Sequence, residues 1–290
     1  MEVRGVSKRL IAWPFSRLYK SLRRASHLSQ IGTAPSSTKP VIILISGAWH
    51  LPDSWDEVKL RLEKAGYEVY APRLLTVVGQ EPVNHSWRVD VAVVHDVAVP
   101  LFNQGRRVVL VGHSYGGLVA TAAVENQSLA DRRSRGLLGG FSAVVHICSF
   151  PISQRGSSLF SAVGGDYSSR VWLTAAEPFK NVPRSLEVVP DRAPFYNDLP
   201  PDMAKELGAK LQHQSQRSFE EPLEFCANDI RIPMTYLLCE NDRTIPIDSQ
   251  EFIVRSIPAM KTRRCTSGHS PFLSQPDLTA DVIIEATRSA

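Results

Sequence analysis

The sequence predicts an α/β domain in which a mostly parallel sheet is covered by helices on both faces. Short, wholly apolar runs such as Val41-Ile42-Ile43-Leu44-Ile45 read as strands buried on two sides, as parallel sheets require. Amphipathic helical stretches alternate with these runs, and the alternation itself implies parallel pairing through crossovers. The third observation is local: Val108-Val109-Leu110-Val111 ends abruptly in Gly112-His113-Ser114-Tyr115-Gly116-Gly117, and an Ala-rich helical stretch follows. Strand, sharp turn, helix is the context in which G-x-S-x-G becomes a nucleophile elbow.

Val41–Ile45 opens the body as a strand and ends in Ser46-Gly47-Ala48-Trp49-His50. Asp53 or Ser54 then caps a helix whose inward face is Trp55, Val58, Leu62 and Ala65, closed by Gly66. Residues 67–71 read as the next strand, stopped by Pro72. Residues 86–104 give a second helix, with Val91, Val94, Ala98, Leu101 and Phe102 inward and Gly105 as its stop. The strand at 108–111, its elbow and the following helix come next, then a strand over 143–150. There the rhythm breaks. Residues 151–231 are rich in Pro, Gly and Ser and show one clear helix, from about 201 to 217, with Met203, Leu207 and Leu211 on one face. An insertion of this size at the C-terminal edge of a parallel sheet is expected to be a helical lid. The rhythm resumes with strands at 234–239 and 260–265, and a last helix starts near Pro276.

With 43% hydrophobic and 21% charged residues the 290-residue chain has ample material for a core. No apolar run approaches the roughly 18 residues of a membrane span. The cysteines, Cys148, Cys226, Cys239 and Cys265, lack C-x-x-C spacing and read as buried thiols, which favours a reducing compartment. Residues 1–40 hold eight Lys/Arg against one acid, whereas the rest carries 25 basic and 28 acidic side chains, so the body has no bulk attraction to nucleic acid. The expected organisation is a basic extension and linker over 1–40 and one domain over 41–290, with its lid at about 151–231. Residues 1–31 are acid-poor and Arg- and Ser-rich, compatible with a mitochondrial transit peptide, a weak membrane-surface contact or an unstructured extension. Without a secretory pattern, the expected location is cytoplasmic, with mitochondrial as the alternative. Oligomeric state is not legible.

The tight turn at Ser114 demands small neighbours, because the backbone two positions before and after approaches closely; Gly112 and Gly116 meet that demand. Downstream, Asp242 and His269 each follow a late strand, so serine, acid and histidine leave different strands at one sheet edge. In such a triad Ser114 is the nucleophile, His269 the general base and Asp242 the group that orients the imidazole. Glu240, Asp229 and Asp248 are rival acids. No carboxylate occupies 149–155, which removes the other usual placement. His113 is expected beneath the elbow in a structural role. Two backbone N–H groups must also face a developing oxyanion, and Tyr115 and Ala48 are the candidates.

These pieces resemble the small α/β-hydrolases related to plant methyl esterases and hydroxynitrile lyases. The resemblance spans residues 41–290 and rests on Gly47-Ala48-Trp49-His50 with Trp55 and on Gly112 to Gly117. It continues through Phe195-Tyr196-Asn197-Asp198-Leu199-Pro200-Pro201, Asp242 to Pro246, and Gly268-His269-Ser270-Pro271-Phe272. Where the family usually has His-Gly, this chain has Ser46-Gly47. The resemblance implies an α/β-hydrolase fold and a cofactor-independent esterase-type enzyme, and nothing in the sequence suggests a metal or nucleotide site. The expected substrate is a small, largely apolar ester, thioester or lactone, met by a pocket of Trp49, His50, Phe150 and Trp172. The alternatives are a C–C lyase or cyclase-like step in specialised metabolism, using the same residues, and a ligand-binding receptor on the same scaffold.

Overall fold

The computed structural model describes residues 39–290, apart from 80, 179, 181 and 190–192. Thr38–Ala290 forms one compact unit. The basic leader proposed over 1–31, and most of the linker after it, lie outside the described residues.

Among the described residues, six strands form a parallel sheet: β1 (Val41–Ile45), β2 (Val69–Tyr70), β4 (Arg107–His113), β5 (Gly140–Ile147), β9 (Met234–Cys239) and β10 (Met260–Cys265). Their spatial order is β10-β9-β5-β4-β1-β2, with every pair parallel. The five residues of β1 are all fully buried, and they divide by alternation. Val41, Ile43 and Ile45 join one hydrophobic core with α2 (Trp87–Asn103) and α3 (Gly116–Ala123). Ile42 and Leu44 join a second core with α1 (Asp56–Lys64) and α10 (Pro276–Arg288). A strand with apolar side chains on both faces can be stable only between two such layers, which is why its run is unbroken.

From β1 the chain steps to β2 on one side, and later to β4 on the other. Such a reversal opens a crevice at the C-terminal strand ends, and the loops after β1 and β4 flank it. Those loops carry Ala48 and Ser114.

A second sheet, in the order β3-β8-β7-β6, is antiparallel and small. It comprises β3 (Val77–Val78), β8 (His213–Ser215), β7 (Ser185–Val188) and β6 (Leu173–Thr174). The insertion is therefore not simply helical. Its helices are short: α5 (Leu159–Ala162), α6 (Pro201–Ala209) and α7 (Arg217–Glu220). The helix expected over 201–217 ends at Ala209, because after Leu211 the sequence offers Gln212 to Gln216, polar residues without helical apolar spacing. Gln214, Ser215 and Gln216 are nonetheless fully buried, and their hydrogen bonds hold β8 in place. The expected cap at Asp53 or Ser54 is also absent. A 3-10 turn over Pro52–Trp55 precedes α1, and the Ser54 hydroxyl donates instead to Leu51 O at 2.8 Å.

The remaining helices are α4 (Leu129–Ser134), α8 (Ile247–Arg255) and α9 (Pro271–Ser274). Among the described residues, no helix is long and apolar enough to cross a membrane. All four cysteines are buried thiols.

Candidate active site

The turn after β4 is built as its sequence demands. Ser114 sits at φ 51°, a left-handed conformation that costs a non-glycine residue roughly 1–3 kcal/mol. A Cβ on Gly112 would stand 2.5 Å from Gly116 O, and one on Gly116 would stand 2.5 Å from Ile45 O. Neither position tolerates a side chain. The loop is then pinned to the next strand: Ser114 N donates to Ile147 O at 3.2 Å, and Phe150 N to Ser114 O at 3.2 Å.

Asp242 and His269 meet. His269 Nδ1 lies 2.7 Å from Asp242 Oδ2, and both side chains are buried. Asp242 is fixed by further donors. Thr244 N and Ile245 N reach Oδ1 at 2.7 and 2.9 Å, and Gln250 Nε2 reaches Oδ2 at 3.3 Å. Ser114 adjoins His113, whose ring centroid is 4.7 Å from that of His269. The rival acids are engaged elsewhere or exposed. Glu240 faces Arg264, Asp229 pairs with Arg155, and Asp248 lies exposed in the first turn of α8.

His113 is buried and reaches the histidine loop: its Nε2 lies 2.9 Å from His269 O. Cys148 Sγ donates to the same carbonyl at 3.2 Å. His113, Cys148 and His269 place one ligand-type atom each within 4.8 Å of one another, a group with the geometry to surround an ion. Its chemistry points elsewhere. Burial pushes the Cys148 thiol up to about 12 and His113 well below the usual imidazole range. A protonated thiol and an N–H, both directed at a carbonyl, make a brace for the His269 backbone rather than a ligand set.

The Ala48 and Tyr115 backbone N–H groups are buried and have no acceptor among the described residues. Buried orphan N–H groups are rare in folded proteins. Next to Ala48, Trp49 holds φ 67°. The insertion fixes it there: Trp49 Nε1 donates to Leu186 O at 2.9 Å, Gln212 N donates to Trp49 O at 2.9 Å, and the indole stacks on Phe195 at 5.5 Å.

The fold matches proteins already known. Residues 42–282 match the profile of the alpha/beta hydrolase family. The chain belongs to that family. It is 30% identical over 256 residues to the alpha/beta hydrolase nvfD of Aspergillus novofumigatus, covering 87% of this chain and 98% of that protein. It is 26% identical over 254 residues to the probable hydrolase R7 of a Phoma species, covering 86% and 98%. Among solved structures, polyneuridine aldehyde esterase superposes with a TM-score of 0.69 at 20% identity, over 85% of this chain and 98% of that one.

In this alpha/beta hydrolase a cavity of about 40 Å³ opens at Ser114. Trp49, Phe150, Trp172, Leu159 and Phe219 make most of its wall, and Tyr167, Arg170 and Thr244 supply the polar part. His50, expected as a pocket residue, is not in that wall. Its Nδ1 lies 2.7 Å from Ala48 O and its Nε2 2.9 Å from Tyr196 Oη, so it stands behind the loop. Ser46, in place of the family's usual histidine, leaves its hydroxyl buried without a partner among the described residues.

Sequence reasoning missed three buried polar residues that support the site. Asp90, on α2, accepts from Leu75 N, Thr76 N, Thr76 Oγ1 and Tyr115 Oη. Gln250, on α8, clamps both Asp242 and the end of β9. Gln214, on β8, accepts from Trp49 N at 3.4 Å and donates to Thr76 and Ser218. For Asp90 a signal was present, an acid on the inward face of an apolar helix. The glutamines have no local signature.

Proposed function

We propose that this alpha/beta hydrolase cleaves a small, largely apolar ester, thioester or lactone through an acyl-enzyme on Ser114. The observation that carries the reading is the buried His269–Asp242 pair at 2.7 Å, together with a serine held at φ 51° in the turn after β4. Asp242 is an acceptor, so His269 Nδ1 carries the proton and Nε2 is left unprotonated to take one from Ser114 Oγ. The freed oxygen attacks the substrate carbonyl carbon, and the charge moves onto the carbonyl oxygen. The N–H groups of Ala48 and Tyr115 are suited to receive it, since neither has another acceptor among the described residues. Collapse of the tetrahedral intermediate expels the alcohol or thiol, which takes the proton from His269 Nε2. Water then enters by the same route and releases the acid.

The cavity supports the substrate class. Its wall is mainly aromatic and aliphatic, the lining that suits an apolar acyl or aryl group. The name of the solved neighbour, an aldehyde esterase, is consistent with ester chemistry on this scaffold. The test is a fluorophosphonate probe together with a panel of aryl and alkyl esters. Wild-type protein should label and hydrolyse, and Ser114→Ala should do neither. Folded wild-type protein that resists the probe and turns over no ester would refute the reading.

A further inference from the structure

The segment Phe195-Tyr196-Asn197-Asp198 lies on the insertion, yet it is bonded to three loops that leave three different strands. Tyr196 Oη is 2.9 Å from His50 Nε2, and His50 Nδ1 is 2.7 Å from Ala48 O. A carbonyl only accepts, so Nδ1 holds the proton and the tyrosine donates to Nε2. Burial lowers His50 to about 4, which keeps this neutral form at ordinary pH. Asn197 Nδ2 donates to Asn241 O at 3.0 Å, one residue before Asp242. Asp198 Oδ2 accepts from Gly268 N at 2.6 Å and from Ser267 Oγ at 3.0 Å, immediately before His269. Phe195 is buried, with its ring centroid 5.7 Å from that of His269 and 5.4 Å from that of His50.

The sheet alone does not provide this coupling. β4 and β5 stand between β1 and β9, so the loops after β1 and β9 start about 14 Å apart at ordinary strand spacing. A tie across the strand ends has to come from outside the sheet. The segment is stiff enough to be one, because Pro194 precedes it and Pro200 and Pro201 follow, each fixing a backbone torsion. It is also tightly fitted: a Cβ on Gly268 would stand 2.6 Å from Asp198 Oδ1 and 2.8 Å from Asn197 Oδ1.

We infer that residues 195–198 are a positioning element that holds the oxyanion, acid and histidine loops in register, with Asp198 as the positioning residue for His269. The inference rests on the reading of Ser114, Asp242 and His269 as the reactive groups. It assigns catalytic weight to a lid segment that does not line the cavity.

The experiment compares wild type, Asp198→Ala and Asp198→Asn in the full chain, by the rate of fluorophosphonate labelling and by kcat and KM for 4-nitrophenyl acetate. Displacing the imidazole should slow labelling and lower kcat by about 10- to 100-fold in Asp198→Ala, with KM within about threefold of wild type. The Asn variant keeps a carbonyl oxygen for Gly268 N and Ser267 Oγ, so it should recover most of that loss. Labelling of folded Asp198→Ala at the wild-type rate, or an Asn variant no better than Ala, overturns the inference. Should Asp198→Ala not fold, Tyr196→Phe and Asn197→Ala carry the test. Each should slow labelling by about fivefold, the worth of one ordinary hydrogen bond, and wild-type rates in both overturn it. Wild-type protein that does not label at Ser114 defeats the catalytic reading itself, a separate outcome from the failure of this one.

Discussion

Tyr115 Oη donates to Asp90 Oδ2 at 2.7 Å, so the residue following Ser114 is tied by its side chain to a carboxyl buried beneath the elbow. The same ring stacks on Phe219 of the insertion, with centroids 5.6 Å apart and planes 8° from parallel. The Tyr115 backbone is therefore set from two directions, the α2 helix on one side and the insertion on the other. Thr76 links this arrangement to Gln214, whose Oε1 takes the Trp49 N–H. One buried polar network thus reaches both loops that carry the orphan N–H groups.

Replacing Asp90 tests how much the fold depends on that network. Burial already pushes its carboxyl above the usual range, and hydrogen bonds from Thr76, Tyr115 and Leu75 offset part of that cost. Asp90→Ala leaves those donors stranded in the core, and we expect it to cost about 3 kcal/mol in urea unfolding. Asp90→Asn keeps the acceptor oxygen and should lose less. A loss below about 1 kcal/mol for the alanine variant would contradict the role given to the network.

The Asp242 carboxyl group meets four nitrogen partners, those of Thr244, Ile245, Gln250 and His269. On the proposed mechanism, an amide in its place can present N–H to the imidazole, which puts the histidine proton on Nε2, where it cannot accept one from serine. Asp242→Asn should therefore lower kcat by about 10³- to 10⁴-fold while the thermal midpoint stays near wild type. Initial-rate kinetics on a turned-over ester, with thermal melts of the same samples, check both halves.

Inside the insertion, Arg184 and Glu220 form an ion pair at 3.0 Å with both side chains almost fully buried. Gln216 Nε2 donates to Glu220 at 2.8 Å, and Arg184 also donates to the carbonyls of Glu177 and Lys180. Breaking such a pair from one side strands a charge, so Arg184→Met should cost about 3–5 kcal/mol. The double variant Arg184→Met with Glu220→Leu should recover a large part. A double variant as unstable as the single one would show that the pair is not what the stability depends on.

The parts of this molecule that were legible from sequence are those where the cause is local. β1, β4, β9 and β10 announce themselves through uninterrupted apolar runs or clean boundaries, and the elbow through glycines that a side chain would drive into backbone. Ser114 and His269 stand next to strand ends, which made them readable; Asp242 required choosing among rivals. The insertion resisted because its strands are two to four residues long and partly polar. Gln214 and Ser215 are fully buried for the sake of partners on distant segments, such as Thr76 and His85. Nothing local reveals that Tyr196, far along the chain, takes the second nitrogen of His50 and so keeps that ring out of the pocket wall.

Three buried histidines contribute to the acid side of the stability curve. Burial lowers His50 to about 4 and His146 to about 3, and holds His113 well below the usual range. In the unfolded chain each takes a proton near 6.5, so between about pH 6.5 and 4 the unfolded state binds protons that the fold refuses. Their stabilising contribution is complete above 6.5 and falls as the pH drops toward 4, by up to about 1.4 kcal/mol per pH unit for each imidazole. Asp90, with its carboxyl raised, acts in the opposite sense just above its unfolded value. His146→Leu removes one of the three histidines and leaves Asp90 unchanged. Urea titrations at pH 7.5 and 5 should show a shallower decline in this variant, and equal slopes would refute the assignment.

On the proposed mechanism, Gly47 tests the loop that would carry the oxyanion donor Ala48. A Cβ there would stand 2.7 Å from His113 Nδ1, closer than real Cβ atoms come, and 3.1 Å from Ser114 Cβ, tighter than most such contacts. His113 cannot easily give way, since its Nε2 is committed to His269 O at 2.9 Å. Ser114 cannot either, because its backbone is pinned to Ile147 and Phe150. The loop itself has to move, and it carries the Ala48 N–H with it. Losing one oxyanion donor lowers kcat by about 10²- to 10³-fold, so Gly47→Ala should approach that loss. The ground-state carbonyl makes weaker use of the donor, and KM should change little. Labelling by a fluorophosphonate should slow in parallel, because its phosphoryl oxygen occupies the same position. A Gly47→Ala enzyme with wild-type kcat would place the second donor somewhere other than Ala48.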